Sequence, residues 1–288
     1  RRPRRAQSSR AGPSTPLRAG NRTAPGLGGQ RIIGVSLRWP RHIVEPSPSS
    51  FGRRIRGQVI RDVDRRGKFL VLPLDRDTVL VHLMMSGDLF LSPPGTPRGR
   101  HDHTIFRLAS GWQLRFSDPR KFGRVFLVTD PETVLGRLGP EPLSNEFKTR
   151  DLQRILHHRK RILKPLLLDQ AALAGLGNIY ADEALHRAKL HPLRRSHTLD
   201  SAEVKALWKG IRATLRDGLR HNGASIDWVY RGGDFQNHFR VYGREGEPCP
   251  RCGTAIERMI VGQRSTYSCP YCQPWKGQSF QGQPPKEG

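Results

Sequence analysis

Cys249-Pro-Arg-Cys252, sixteen residues, then Cys269-Pro-Tyr-Cys272: these four are the only cysteines in the 288-residue chain. Two CxxC pairs about 15 to 20 residues apart have the spacing of a four-thiolate zinc site, because each knuckle turns two sulfurs toward one ion. A pair of disulfides would need a strained bridge inside each CxxC and an oxidising compartment. Four cysteine ligands leave no open coordination position, so one structural Zn2+ is expected at Cys249, Cys252, Cys269 and Cys272, with any chemistry elsewhere. Between the knuckles, residues 257–268 read as two short strands turning at Gly262-Gln263, and the turn carries Arg264. An arginine on a zinc-fixed hairpin suits a phosphate; a solvated loop arginine is the plainer alternative.

The charge of the whole chain favours the first of these. Fifty Lys and Arg stand against 25 Asp and Glu, a formal net charge of +25. Such a balance selects a polyanionic partner, either nucleic acid or an anionic membrane surface. No run of about 18 apolar residues occurs, so no membrane-spanning segment is expected. Ten of the arginines fall in the first 44 residues, which contain no acidic residue, and the remainder still holds 40 bases against 25 acids.

Residues 1–28 are rich in Arg, Pro, Gly and Ser and read as disordered. Their composition matches an acid-free leader, and equally GC-rich coding sequence out of frame. From Arg31 the texture becomes strand-like over 32–37, 57–63, 68–74, 78–84, 88–91, 104–108, 112–116 and 123–128, which predicts an antiparallel sandwich or barrel. After Pro131 the period turns helical: 131–138, 149–158, 179–188 and, most clearly, 200–221. There Asp200 caps with Glu203 three residues on, Val204, Leu207, Trp208, Ile211, Leu215 and Leu219 form one stripe, and Gly223 ends the run. The expected class is α+β: a β-sandwich at 29–130, a helical domain at 131–240, a zinc hairpin at 241–273 and a frayed tail at 274–288.

Four further stretches could carry chemistry. Gly175-Leu-Gly177-Asn178 precedes a helix start, whose free N–H groups suit an anion, although Gly-rich turns before helices are common punctuation. Lys160, Arg161 and Lys164 upstream read as a solvated basic face. Lys68 stands at a strand entrance, as a phosphate ligand, a proton donor or an edge-strand gatekeeper. His82 leads into Met84 and Met85, for which core packing is the plain expectation. Asp118-Pro119-Arg120-Lys121-Phe122-Gly123 sets bases beside an aromatic, as in a wedge entering a base stack.

Taken in order, RRGKFL, HLMMSG, RHDH, SDPRKFG, LLLDQ, GLGNIYADE, VYGREGEPCPRCG and QRSTYSCPYCQ make the chain resemble the bacterial formamidopyrimidine-DNA glycosylase family, the group that includes endonuclease VIII, over about Gly29 to Gln273. The resemblance implies a β-sandwich, a helix-two-turn-helix domain and a zinc hairpin, with DNA in the cleft between the domains. It also implies flipping of a damaged purine from double-stranded DNA, followed by glycosidic cleavage and β,δ-elimination at the abasic site. By the same resemblance Met85, Arg120 and Phe122 fill the gap left by the flipped base. Lys68, His82, Asn178 and Arg264 grip the surrounding phosphates, and His101 and Lys160 make further DNA contacts. Lys68 and Arg264 carry the proton-donor roles in β- and δ-elimination. Ser225 lies in the loop that covers an oxidised purine. A monomer without membrane partners, cytoplasmic and associated with the bacterial nucleoid, completes the expectation.

The family's nucleophile is an N-terminal proline, followed directly by glutamate, whose secondary amine forms a Schiff base at the sugar C1′. The sequence given opens Arg1-Arg2-Pro3-Arg4, and its first acidic residue is Glu45. Three expectations stand side by side: a different true start for the chain, a lesion-binding protein without chemistry, and an enzyme using another amine such as Lys68.

Overall fold

The computed structural model describes residues 26–224 and 232–275. The chain divides into two compact units at Arg137 and Leu138. In the first, β1 (Ile32–Leu37) and β2 (Ile43–Glu45) precede helix α1 (Pro48–Ile55). Then come β3 (Asp64–Arg66), β4 (Phe69–Pro73), β5 (Thr78–His82), β6 (Asp88–Ser92), β7 (Asp102–Leu108), β8 (Gln113–Ser117) and β9 (Arg124–Val128), closed by the short α2 (Glu132–Leu135). Two sheets form, ordered β1-β7-β8-β6 and β2-β9-β5-β4-β3. All pairings are antiparallel except that of β2 with β9. Alternate residues of each sheet, among them Leu72, Val79, Val81, Leu89, Phe106, Leu114, Phe116, Val125 and Leu127, meet in one core.

Helix α1 and strand β2 are additions to the expected elements. The helix is short, and only Phe51 and Ile55, one turn apart, are fully buried. Its sequence signal is Ser47-Pro48: Ser47 Oγ accepts from Ser50 N at 3.4 Å, and Pro48 occupies the first turn. The strand expected over 57–63 is not formed. Gly57 adopts φ +85°, Val59 and Ile60 are buried consecutively, and Val59 N donates to Asp75 Oδ2 at 2.9 Å rather than to a ladder carbonyl. The helix expected over 131–138 contracts to α2.

The second unit holds α3 (Thr149–Arg159), α4 (Leu163–Leu168), α5 (Asn178–Ala188) and α6 (Ser201–Arg220), a 3-10 turn at Phe235–His238, and the hairpin β10 (Glu257–Val261) and β11 (Arg264–Ser268). The capping box of α6 forms as the sequence predicts: Glu203 N donates to Asp200 Oδ1 at 2.8 Å, and Asp200 N to Glu203 Oε2 at 3.1 Å. Val204, Leu207 and Ile211 are buried against Ala181, Ala184 and Leu185 of α5. The two helices pack closely because Gly210 and Gly218 carry no Cβ: one at Gly210 would lie 2.8 Å from Ala184 O, and one at Gly218 would strike the Tyr180 ring. Leu219 departs from the expected stripe and is 62% exposed, since the last turn of α6 runs beyond the core.

Candidate nucleic-acid interface and zinc centre

In the first unit Lys68 lies exposed in the turn between β3 and β4, where Gly67 takes a positive φ of 58°. Across the ladder, Phe69 pairs with His82, and their rings meet edge-on at 4.9 Å. Burial, and then the Lys68 charge, lower the His82 pKa, so the ring is neutral at pH 7. Its Nδ1 accepts from Met84 N at 3.1 Å, which leaves the proton on Nε2 as a donor.

The chain then turns through Met84 (φ 56°) to Gly87, whose N donates to Leu83 O at 2.9 Å. The expectation that the methionines pack in the core is overturned: Met84 and Met85 are exposed, Met85 by 60%. Asp118, itself buried, binds this turn to the DPRKFG turn. Its Oδ1 accepts from Ser86 Oγ in a short hydrogen bond and from Arg120 N at 3.2 Å, while Oδ2 accepts from Gly123 N at 2.7 Å. Asp118 N donates to His101 O at 3.0 Å, which brings His101 to the same cluster. The Arg120 guanidinium lies 5.2 Å above the ring of Phe122, which is 45% exposed. Met85, Arg120 and Phe122 therefore stand on two turns joined through a single buried carboxylate.

In the second unit the four sulfurs lie within 4.8 Å of one another. The Cys252–Cys269 and Cys252–Cys272 separations are 3.4 Å, and Cys249–Cys272 is 4.0 Å. A tetrahedral ion with metal–sulfur bonds of about 2.3 Å has edges of about 3.8 Å, so the donor set fits zinc, and each spacing is too long for a disulfide. Burial pushes the Cys272 thiol up to about 11, so binding the ion expels a proton that this sulfur otherwise keeps at neutral pH. The hairpin turns at Gly262 (φ 55°) and Gln263 (φ 61°), two left-handed residues that match a tight two-residue turn, and Arg264 follows, exposed.

What holds the hairpin is α5 and the start of α4. Lys164, read from sequence as part of a solvated face, is fully buried. Its Nζ lies 2.6 Å from Asp182 Oδ1 and donates to Ser265 O at 3.0 Å and Thr266 Oγ1 at 2.8 Å. Asp182 Oδ2 accepts from Tyr267 N at 3.0 Å, and Asn178 Nδ2 donates to Ser265 O at 3.0 Å. Next to Asp182 on α5, Glu183 accepts from Arg240 N, Val241 N and Tyr242 N at 2.9–3.0 Å, and one turn further along His186 Nε2 lies 3.4 Å from Cys249 Sγ. Burial drives the His186 pKa down to about 4, so the ring is neutral. Behind the N-terminus of α5, Gln170 braces the glycine loop: Oε1 accepts from Gly175 N at 2.9 Å, and Nε2 donates to Leu176 O at 3.0 Å.

The structure thus brings Asn178 and the Arg264 hairpin together, and separately joins Lys68 with His82 and Met85 with His101, Arg120 and Phe122. Lys160 stands on the left-handed C-cap of α3 (φ 42°), exposed, with no hydrogen bond or ion pair to Asn178 or Arg264 among the described residues. Ser225 lies outside the described residues. Sequence reasoning missed Lys164, Asp182, Glu183 and His186 as a set. Three of the four sit on α5 within two turns, and buried ionisable residues at i, i+1 and i+4 of a helix were the available signal.

Comparison with known proteins matches the chain to one family along most of its length. Residues 18–125 match the formamidopyrimidine-DNA glycosylase N-terminal domain, 138–229 the H2TH domain of that glycosylase, and 246–274 the zinc finger found in FPG and IleRS. The first match opens ahead of Gly29, where the recognisable motifs begin. A formamidopyrimidine-DNA glycosylase of Herpetosiphon aurantiacus is 44% identical over 245 residues, covering 83% of this chain and 90% of that protein. One of Roseiflexus sp. is 47% identical over 254 residues, covering 85% and 93%. Among solved structures, the Lactococcus lactis enzyme with Fapy-dG-containing DNA superposes with a TM-score of 0.81 at 33% identity, covering 86% of this chain and 94% of that one. A MutM bound to DNA containing carbocyclic 8-oxo-G gives 0.80 at 34% identity, with 86% and 93% coverage. Family models thus match the N-terminal region, the helical region and the zinc finger in turn, relatives over 40% identical cover most of the chain, and the chain belongs to the formamidopyrimidine-DNA glycosylase family.

Proposed function

We propose that this protein is a base-excision DNA glycosylase that removes oxidised purines, 8-oxoguanine and formamidopyrimidines, from duplex DNA and then cleaves the abasic strand by β,δ-elimination. Family membership supports the reaction class. The observation in this chain that carries the reading is that Asn178, at the start of α5, holds the strand of the zinc-fixed hairpin directly beside the exposed Arg264: a helix N-terminus and a guanidinium brought to one place suit a phosphate.

The residue roles are those the family resemblance implies, and the chemistry of the side chains suits them. A base inside a duplex cannot be reached at its glycosidic bond, so it must leave the stack, and something must occupy the gap. Met85 and Phe122 offer apolar volume, and Arg120 offers donors to the orphaned partner base. The neutral His82, with its proton on Nε2, and the exposed Lys68 suit phosphate oxygens. In the elimination steps the Lys68 ammonium is the proton donor for β-elimination and Arg264 the one for δ-elimination, as the resemblance implies. Cys249, Cys252, Cys269 and Cys272 hold the structural Zn2+, which keeps Arg264 in place and takes no part in bond breaking. We read the working domains as 29–130, 131–240 and 241–273, the protein as a monomer, and its place as the bacterial cytoplasm, on nucleoid DNA. No helix among the described residues is long and apolar enough to cross a membrane.

The test is borohydride trapping on a duplex carrying one 8-oxoguanine opposite cytosine, with a gel shift in parallel. A covalent adduct is expected, because the coupled reaction passes through a Schiff base, and peptide mapping then identifies the amine, Lys68 included. Lesion-selective binding with no adduct would assign the chain as it stands to lesion recognition without chemistry. Equal binding to undamaged duplex would overturn both readings.

A further inference from the structure

We propose that His221, Asp234 and His238 form a second metal site, for a borderline transition ion such as Zn2+, Co2+ or Ni2+, distinct from the four-cysteine centre. One ligand atom from each residue lies within 4.8 Å of the other two. His221 Nδ1 is 3.6 Å and His238 Nε2 3.0 Å from the same oxygen, Asp234 Oδ2. An ion about 2.0 to 2.2 Å from two imidazoles and a carboxylate has tetrahedral edges of about 3.4 Å, so the donors need move only slightly to accept one. Two imidazoles with one carboxylate select zinc and its neighbours over Mg2+ or Ca2+, which prefer all-oxygen shells.

The three side chains reach into solvent, yet the backbone beneath them is built. Asp234 N donates to His221 O at 2.8 Å, and Phe235 N to Gly223 O at 3.0 Å, which fastens the 3-10 turn to the end of α6. Phe235 is fully buried and stacks on Tyr180 at 5.3 Å with an interplanar angle of 11°. Asn237 Nδ2 donates to Asp234 Oδ1 at 2.6 Å, leaving Oδ2 to face the two rings, the outer-shell arrangement that orients a metal-binding carboxylate. The rings themselves lie 3.7 Å apart, centroid to centroid. Only His238 Nε2 is within hydrogen-bond reach of Asp234 Oδ2, while His221 Nδ1 stands just beyond it; with a cation between them, all three become ligands. Three protein ligands leave positions open to water, so this ion exchanges more readily than the one among the cysteines. Its effect is to tie the C-terminal end of α6 to the 3-10 turn, from which the chain continues toward the zinc hairpin.

The experiment is calorimetric titration of Zn2+ into protein already loaded with one zinc, together with Co2+ titration followed by absorption. The expected result is one further equivalent, with weak cobalt d–d bands and no thiolate charge-transfer band. His238→Ala and the near-isosteric Asp234→Asn should each weaken this second equivalent by more than about tenfold while the first zinc is retained. Retention of the first zinc and an unchanged circular dichroism spectrum report that each variant is folded. No second equivalent at millimolar Zn2+, or a second equivalent unaltered by both substitutions, would overturn the proposal.

Discussion

Replacing Lys164 with methionine removes a buried ammonium while keeping most of the side-chain volume, and so isolates what the charge does. Three groups lose the ammonium: Asp182 Oδ1 at 2.6 Å, Thr266 Oγ1 at 2.8 Å and Ser265 O at 3.0 Å, the last of which keeps Asn178 Nδ2 as a donor. Removing one member of a buried pair costs about 3 to 5 kcal/mol when the other must stay charged. Here there is a limit. Burial already raises Asp182 to about 7 with the lysine beside it, so without Lys164 the carboxyl rises further and takes up a proton near neutral pH. The expected cost is therefore at the low end, about 3 kcal/mol at about pH 8.

The sign with pH follows. A carboxyl whose folded-state pKa lies above its unfolded value favours the fold at low pH and loses that contribution as pH rises through the folded-state pKa. The Lys164→Met penalty should thus shrink toward about pH 5, where Asp182 is protonated, and grow toward about pH 8. Hydrogen exchange of the amides in residues 257–268 of the zinc-loaded protein reads local opening, and the expected loss of protection is about a hundredfold at the higher pH. Asp182→Asn in the same background should restore most of it. A loss under about fivefold at both pH values, or no rescue by the second substitution, would refute the idea that this pair clamps the hairpin.

Three other outcomes are expected. Arg264→Ala with zinc intact should weaken DNA affinity and flatten the slope of log K against log salt by about one unit; an unchanged slope would mean that Arg264 meets no phosphate. Cys269→Ala should release the zinc and abolish specific DNA binding, measured by metal analysis and gel shift, and full binding without zinc would show the hairpin to be dispensable. Burial holds the His42 ring down at about 4, against 6.5 when unfolded, so the first unit should lose stability as pH falls from about 6.5 to about 4, by up to about 3 kcal/mol. His42→Gln should flatten that dependence in urea titrations, and an equally steep fall in the variant would place the acid sensitivity elsewhere.

Local patterns with a chemical reason were legible in the sequence. The CxxC spacing, the Gly262-Gln263 turn and the Asp200–Glu203 capping box all depend on residues a few positions apart, and each forms in the structure. The misreadings share a cause: the partner lies far along the chain. Lys164 looked solvated beside Lys160 and Arg161, but its partners Asp182, Ser265 and Thr266 come from α5 and β11. Met84 and Met85 looked like core because methionine is apolar, while the turn fixed by Asp118 holds them outward. Helix α1 buries only two apolar side chains, too few for a periodic signal, although its Ser47-Pro48 start was readable. At the site, residue types were visible early. That Asp118 joins two turns, or that α5 holds the hairpin, depends on contacts only the fold creates.

The way α5 holds the zinc hairpin bears on how freely that hairpin can be exchanged. Most of its anchors are main-chain atoms: Ser265 O receives Asn178 and Lys164, Tyr267 N reaches Asp182, and the amides of residues 240–242 reach Glu183. A socket that grips backbone is largely indifferent to the side chains it receives. Any two-knuckle hairpin of the same length and register should seat against Asn178, Lys164, Asp182 and Glu183, so this segment lends itself to grafting, with its turn residue replaced or its strands recoloured, while the four socket residues stay constant.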